Sequence, residues 1–259
     1  MVGDPADMRR MNGCDKARLE SRRPDKINHV RFLGPHEKFN FSCKRLNTCC
    51  ENFTQADRVP LDPYDIYRLS RNKKMSTGQL IEKHVDIVLD ADTHIPLAFL
   101  RFRGEEGRNK CHFLGALGCS VYPDRPLRCR LLPLGKISSA EKSYFVLINN
   151  CPCGNEESDD VWSVTEWLQS SECHPFLKNQ EAISALFDDY YADTFKALPE
   201  KMKLEFGSRL YDADSFASQS EGSGKSADVN ELMRRLSAWV KDYLVRYGCL
   251  KIENEAAAI

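Results

Sequence analysis

The chain has 259 residues, of which 42% are hydrophobic and 29% charged, enough apolar material for a buried core and too much for global disorder. Lys and Arg total 37 against 38 Asp and Glu, a formal net charge of -1, which argues against a strongly basic nucleic-acid binder. Apolar runs such as 95–100 and 144–148 fall far short of the roughly 18 residues of a membrane span, and residues 1–7 show no apolar signal-peptide core, so the sequence predicts a cytoplasmic protein.

Residues 1–35 are polar, carry scattered Arg and show no sustained periodicity, and read as a poorly ordered arm. Residues 36–180 read as a cysteine-cluster domain. Within it Asp62-Pro63-Tyr64-Asp65 has the marks of a helix start: a capping carboxylate, Pro at the first helical position and an acid facing the positive end of the dipole. That helix is expected to run to about Asn72, with Ile66 and Leu69 inward, and a second is expected from Ser76-Thr77 through Leu80, Ile81 and His84. Residues 86–102 and 143–148 are rich in β-branched and aromatic side chains and predict short strands. Ile183, Leu186, Phe187, Tyr190, Tyr191, Phe195 and Leu198 recur at three- and four-residue steps, which predicts one helix opening at Pro175. A helical extension is expected over 181–259, interrupted by a Ser- and Gly-rich linker at about 215–228. Its last helix carries a stripe from Val229 to Tyr247, including Leu232, Leu236, Trp239, Val240, Tyr243 and Leu244, that reads as core packing ahead of a partner-binding face. The predicted class is therefore α+β: an irregular, metal-stapled cysteine-cluster domain of short strands and helices, followed by that extension.

Eleven Cys are an unusual number for a chain with no export signal, and the count is odd. In that setting thiols hold metal more often than they form disulfides. Eight of them lie in 36–153: Cys43, the adjacent pair Cys49-Cys50, Cys111, Cys119, Cys129, and Cys151 with Cys153. Thiolates are soft donors suited to zinc or to iron–sulfur clusters, each of which usually takes four protein ligands. Neither the paired CxxC knuckles of a zinc ribbon nor a ferredoxin CxxCxxC run is present. Buried, inert thiols are the rival reading, and a vicinal disulfide is the rival for Cys49-Cys50. Arg125, Arg128 and Arg130 are candidates to offset cluster charge and donate to sulfur. Cys14 and Cys249 stand apart as poor candidates, Cys173-His174 reads as a helix junction, and of the remaining His only His112 adjoins a candidate ligand.

The pieces Phe41-Ser42-Cys43 to Cys49-Cys50, Val59 to Leu69, Cys111-His112-Phe113-Leu114, Gly118-Cys119-Ser120-Val121-Tyr122, Arg125-Pro126, Cys129 to Pro133, and Cys151-Pro152 with Val164 to Leu168, in this order, resemble the CxxCxxCC family. This is the YkgJ type of zinc- or iron-chelating domain, and the resemblance covers roughly 39–170. It implies an iron–sulfur cluster, with 4Fe-4S first, or zinc, and on the matching positions it implies Cys43, Cys49, Cys50, Cys111, Cys119, Cys129 and Cys151 as ligands. The family pattern places a further Cys where this chain has Lys44 to Thr48, and Cys153 can take that place. So many thiols exceed a single four-ligand site, which favours two centres or one polynuclear centre.

Three functions follow as expectations. The first is a metal-binding protein with a redox or structural role. The second, implied by family members labelled flagellin lysine N-methylase, is an S-adenosylmethionine-dependent enzyme. The third is a protein-interaction module. Glycine-rich phosphate loops, GxSxG and HExxH are all absent from the sequence, so no catalytic residue can be named. Scattered basic pairs without interleaved aromatic residues make nucleic acid an unlikely partner.

Overall fold

The computed structural model describes residues 31–43, 48–51, 58–104, 110–138, 143–148, 154–155, 158–185, 195–216 and 228–248. The elements run β1 (Arg31–Leu33), β2 (Lys38–Asn40), β3 (Ser42–Cys43), β4 (Pro60–Leu61), α1 (Pro63–Asn72), α2 (Thr77–His84), β5 (Val85–Leu89), β6 (Pro96–Leu100), β7 (Phe102–Arg103) and β8 (Lys110–Cys111). They continue with β9 (Leu114–Gly115), β10 (Gly118–Cys119), α3 (Leu127–Leu131), β11 (Leu134–Ser138), β12 (Ser143–Leu147), β13 (Gly154–Asn155), β14 (Val161–Ser163), α4 (Val164–Ser170), α5 (His174–Ser184), α6 (Glu200–Tyr211) and α7 (Val229–Arg246). Short helices with small, separate sheets make this an α+β fold. The chain divides into two compact units interleaved along the sequence: Met1–Ala56 with Arg103–Ser120 and Leu127–Pro175, and Asp57–Phe102 with Val121–Pro126 and Phe176–Ile259.

In the first unit β12 is the centre of an antiparallel sheet, flanked by β1 and β11. Phe145 lies opposite both Leu33 and Lys136, and Leu33, Leu134 and Phe145 are buried. β1 therefore begins inside the stretch read as an arm, while residues before Arg31 lie outside the described residues. β14 pairs with β2, placing Trp162 opposite Phe39. The chain then enters α4 through a capping box, in which Ser163 Oγ accepts from the Glu166 amide at 3.2 Å and Glu166 accepts from the Ser163 amide at 2.8 Å. Trp167 meets Phe41 and Trp162 edge-on at 5.3 and 5.5 Å. Both indoles satisfy their polar edges on carbonyls, Trp162 on Phe41 and Trp167 on Leu131, each at 3.0 Å.

The second unit opens as the sequence predicts. Asp65 accepts from the Asp62 amide at 2.9 Å, Pro63 fills the first turn of α1, and Ile66 and Leu69 are fully buried. Ser76 caps α2 by accepting from the Gln79 amide at 3.2 Å. The start of α2 has a second set of acceptors from far along the chain. Asp214 takes the Thr77 amide at 2.8 Å and the Arg71 guanidinium, and Asp212 takes the Thr77 hydroxyl. Strands β4, β6 and β5 form one antiparallel sheet, with β6 in the middle. α6 lies on it at Gly207, where an added Cβ would come within 2.6 Å of Pro96 Cβ. The stripe of α7 is core: Leu232, Leu236, Val240 and Leu244 are buried, and Trp239 stacks on Phe206 at 5.2 Å.

Two expectations about the helices need correction. The single helix from Pro175 to Leu198 is not continuous: α5 stops at Ser184, and Leu186, Phe187, Tyr190 and Tyr191 lie outside the described residues. A three- and four-residue step is satisfied equally by separate short helices sharing one core, and Phe195 duly packs on Phe206 at 5.3 Å. Helix α6 was missed, although Pro199 at its N-cap biases Leu198 away from helical backbone and marks a fresh start. Ser215 and Phe216, placed in the linker by the sequence, belong instead to a 3-10 turn, Ala213–Phe216, with Phe216 buried; residues 217–227 lie outside the described residues. Among the described residues no helix is long and apolar enough to cross a membrane.

Candidate metal centre

Cys49 and Cys50 occupy a single 3-10 turn, Thr48–Cys50. Their sulfurs stand 4.0 Å apart, against about 2.05 Å in a disulfide, so the vicinal disulfide is not formed. Next to this turn Glu51 pairs with Lys110 at 3.1 Å, which ties it to β8 directly beside Cys111. Cys50 also hydrogen-bonds the sulfur of Cys111, so Cys50 is the middle member of a row of three thiols.

Cys111 is buried at the end of β8, and the chain turns at once into β9. This turn directs the backbone N–H groups of Phe113 and Leu114 at the Cys111 sulfur. The hydrogen bond from Cys50 pulls the Cys111 thiol below its ordinary range, and these two amides help against the opposing effect of burial. Cys50 moves the other way: its bonds to Cys111 and Cys49, together with burial, push its thiol far up. Of this pair, Cys111 is the thiol that gives up its proton more readily, and the deprotonated thiol is the metal-binding form.

The other described ligand candidates, Cys43, Cys119 and Cys129, lie on two strands of separate sheets and one helix of the same unit. Cys43 is exposed at the end of β3, opposite Gly154, the residue that follows Cys153 in the chain. Cys119 is half-buried on β10, opposite Leu114, and Cys129 is half-buried on α3. Cys151 and Cys153, like Cys14 and Cys249, lie outside the described residues. Among the described residues no three Cys, His, Asp or Glu side chains gather around one point that a metal could occupy. Of the predicted ligands, those the structure places next to one another are Cys49, Cys50 and Cys111. Thiols are the donor type that soft cations and iron–sulfur clusters take, but these three do not by themselves enclose a metal position.

Cys173 has a different explanation. Ser171 caps α4, Glu172 follows with φ of 52°, and the amides of Glu172 and Cys173 return to the carbonyls of Gln169 and Leu168 at 3.0 and 2.9 Å. This is a Schellman ending, and the buried Cys173 and Leu168 supply the apolar residues at its two characteristic positions. Two of the three candidate arginines have structural engagements. Arg130, 1% exposed, donates to the Ser171 carbonyl at 3.0 Å, and Arg125 donates to the Tyr122 carbonyl at 3.0 Å and lies over its ring.

Residues 42–153 match the CxxCxxCC family, described as a "Putative zinc- or iron-chelating domain". The match spans less than half of the chain. It encloses all eight candidate ligands and leaves out Cys14, Cys173 and Cys249. The family description supports metal binding in general, by zinc or iron. No curated protein and no solved structure matches the chain. Within the matched segment, sequence reasoning missed the amides of Phe113 and Leu114. A signal was present: Gly115 and Gly118 enclose two residues, the spacing of a tight hairpin that folds the chain back just after Cys111.

Proposed function

We propose that the matched segment holds an iron–sulfur cluster, [4Fe–4S] ahead of zinc, through thiolates drawn from Cys43, Cys49, Cys50, Cys111, Cys119, Cys129, Cys151 and Cys153, in a redox or structural role. The observation that carries this reading is the row of three sulfurs ending on Cys111, where two backbone amides point at the sulfur. Amides aimed at sulfur favour the deprotonated ligand, and hydrogen bonds to sulfur are among the factors that set a cluster's potential. A bound cluster would supply one-electron redox chemistry, whereas zinc held by four thiolates would be a closed structural site. The residues of the chain contribute the donors, the buried surroundings of Cys111 and the amides that steady its charge. Eight thiols exceed what one tetrahedral zinc can use, which favours the polynuclear centre.

The test is metal and labile-sulfide analysis with an absorption spectrum on protein purified without oxygen. Iron, sulfide and a broad band near about 400 nm are expected. Colourless, zinc-loaded protein would assign the thiols a structural role, and protein that takes up neither metal would overturn the reading. Cys111→Ser should lose most of the bound metal.

A further inference from the structure

We propose that Ser120 is a positioning residue for the Cys111 sulfur, holding in place the peptide group of Phe113 and Leu114 that donates to it. This inference rests on reading Cys111 as a metal ligand. The N–H of Leu114 and the carbonyl of Phe113 belong to one peptide group, and that N–H points at the Cys111 sulfur. The Phe113 carbonyl accepts twice from Ser120, from its amide at 2.9 Å and from its hydroxyl at 3.0 Å. Two donors on one carbonyl fix the plane of the peptide and so the direction of its N–H. They also polarise it, because a peptide that accepts at oxygen is a stronger donor at nitrogen. The run of bonds is therefore Ser120 to Phe113 carbonyl, then Leu114 amide to Cys111 sulfur. The following peptide, whose N–H belongs to Gly115 and is not among the donors to Cys111, is held separately by the Arg103 guanidinium on the Leu114 carbonyl.

The hairpin supplies the geometry that makes this possible. Gly115 pairs with Gly118 and Leu114 with Cys119, and Gly118 takes φ of 102°, a value that side chains rarely tolerate. The two-residue turn returns the chain so that Ser120, next to Cys119, reaches back to Phe113. Groups that orient a ligand in this way commonly change metal affinity by about 10–100-fold when removed.

The experiment compares full-length wild type with Ser120→Ala, Ser120→Thr and Ser170→Ala. Ser170 is a matched control: its hydroxyl donates to the Trp167 carbonyl at 3.1 Å in the same unit. Two quantities are measured, hydrogen exchange at the Leu114 amide in metal-free protein and the rate at which loaded protein surrenders metal to a chelator. Ser120→Ala should exchange Leu114 faster and release metal about tenfold faster. Ser120→Thr, which keeps the hydroxyl, should restore both, and Ser170→Ala should match wild type in both. Ser120→Ala and Ser170→Ala behaving alike would overturn the positioning role. Wild-type protein that takes up neither iron nor zinc would overturn the ligand reading itself, a separate result seen before any variant is made.

Discussion

Cys111 and Cys173 are both buried thiols, but the groups around each sulfur differ. Cys111 has a second thiol and two backbone amides directed at it, an arrangement that stabilises negative charge. Cys173 packs as the apolar residue of a helix ending, and its sulfur stands 3.9 Å from the Ser171 carbonyl. The corresponding serine substitutions should therefore fail differently. Cys111→Ser should reduce metal content sharply. Cys173→Ser should leave metal content at the wild-type level and lower stability by about 1 kcal/mol, because a hydroxyl costs more to bury than a thiol even with the Ser171 carbonyl as acceptor. Elemental analysis and urea titration of the two variants measure both effects. Metal loss in Cys173→Ser would return that thiol to the ligand set.

At the scale of elements, helices in the second unit are placed by contacts that leave little slack. Gly207 allows α6 to lie on β5 and β6, with Pro96 and Ile87 where a side chain would start. Gly207→Ala should cost about 1–3 kcal/mol by overpacking against a rigid proline ring, even though alanine is the better helix former. A thermal melt checks this, and a gain in stability would refute the close approach. The start of α2 has a pH dependence. Burial raises the Asp214 carboxyl, but Arg71 and the Thr77 amide outweigh it and hold the carboxyl below its ordinary value. A carboxylate depressed in the folded state contributes stability that is present above its unfolded pKa, about 3.9, and is lost as pH falls through the lower folded value. Asp214→Asn should lower stability at neutral pH and flatten the acid limb of the stability profile, measured by urea titration between about pH 2 and 7.

The whole molecule carries its own reporters. Of its three tryptophans, Trp162 and Trp167 lie in the unit that contains the candidate thiols, and Trp239 lies in the other. Metal binding that organises the thiol-bearing unit should couple to folding there. Stripping metal with a chelator should shift the emission of a Trp239→Phe variant, which reports on Trp162 and Trp167. It should leave unchanged a Trp162→Phe/Trp167→Phe variant, which reports on Trp239. Equal shifts in both would mean that metal organises the entire chain. No shift in either would separate the metal from the fold.

The features legible in the sequence are those fixed by near neighbours. Asp62 with Pro63, and Ser76 with Gln79, announce helix starts because a cap and its amides lie within four residues of each other. Alternating and three- or four-step apolar patterns mark the strands over 86–102 and the final helix for the same reason, and the ordered cysteine pieces point to the family whose model matches residues 42–153. What only the tertiary structure decided depends on residues distant in the chain. Cys50 meets Cys111 across an intervening stretch that belongs largely to the other unit, and Asp212 and Asp214 reach back to cap α2. Cys173 differs from the candidate ligands through a helix ending that needs a positive φ at Glu172, a residue type that does not advertise it. Local sequence sets the conformation of a few adjacent residues. Which thiols share a neighbourhood is set by the burial of apolar surface from the whole chain, and no local pattern records that outcome.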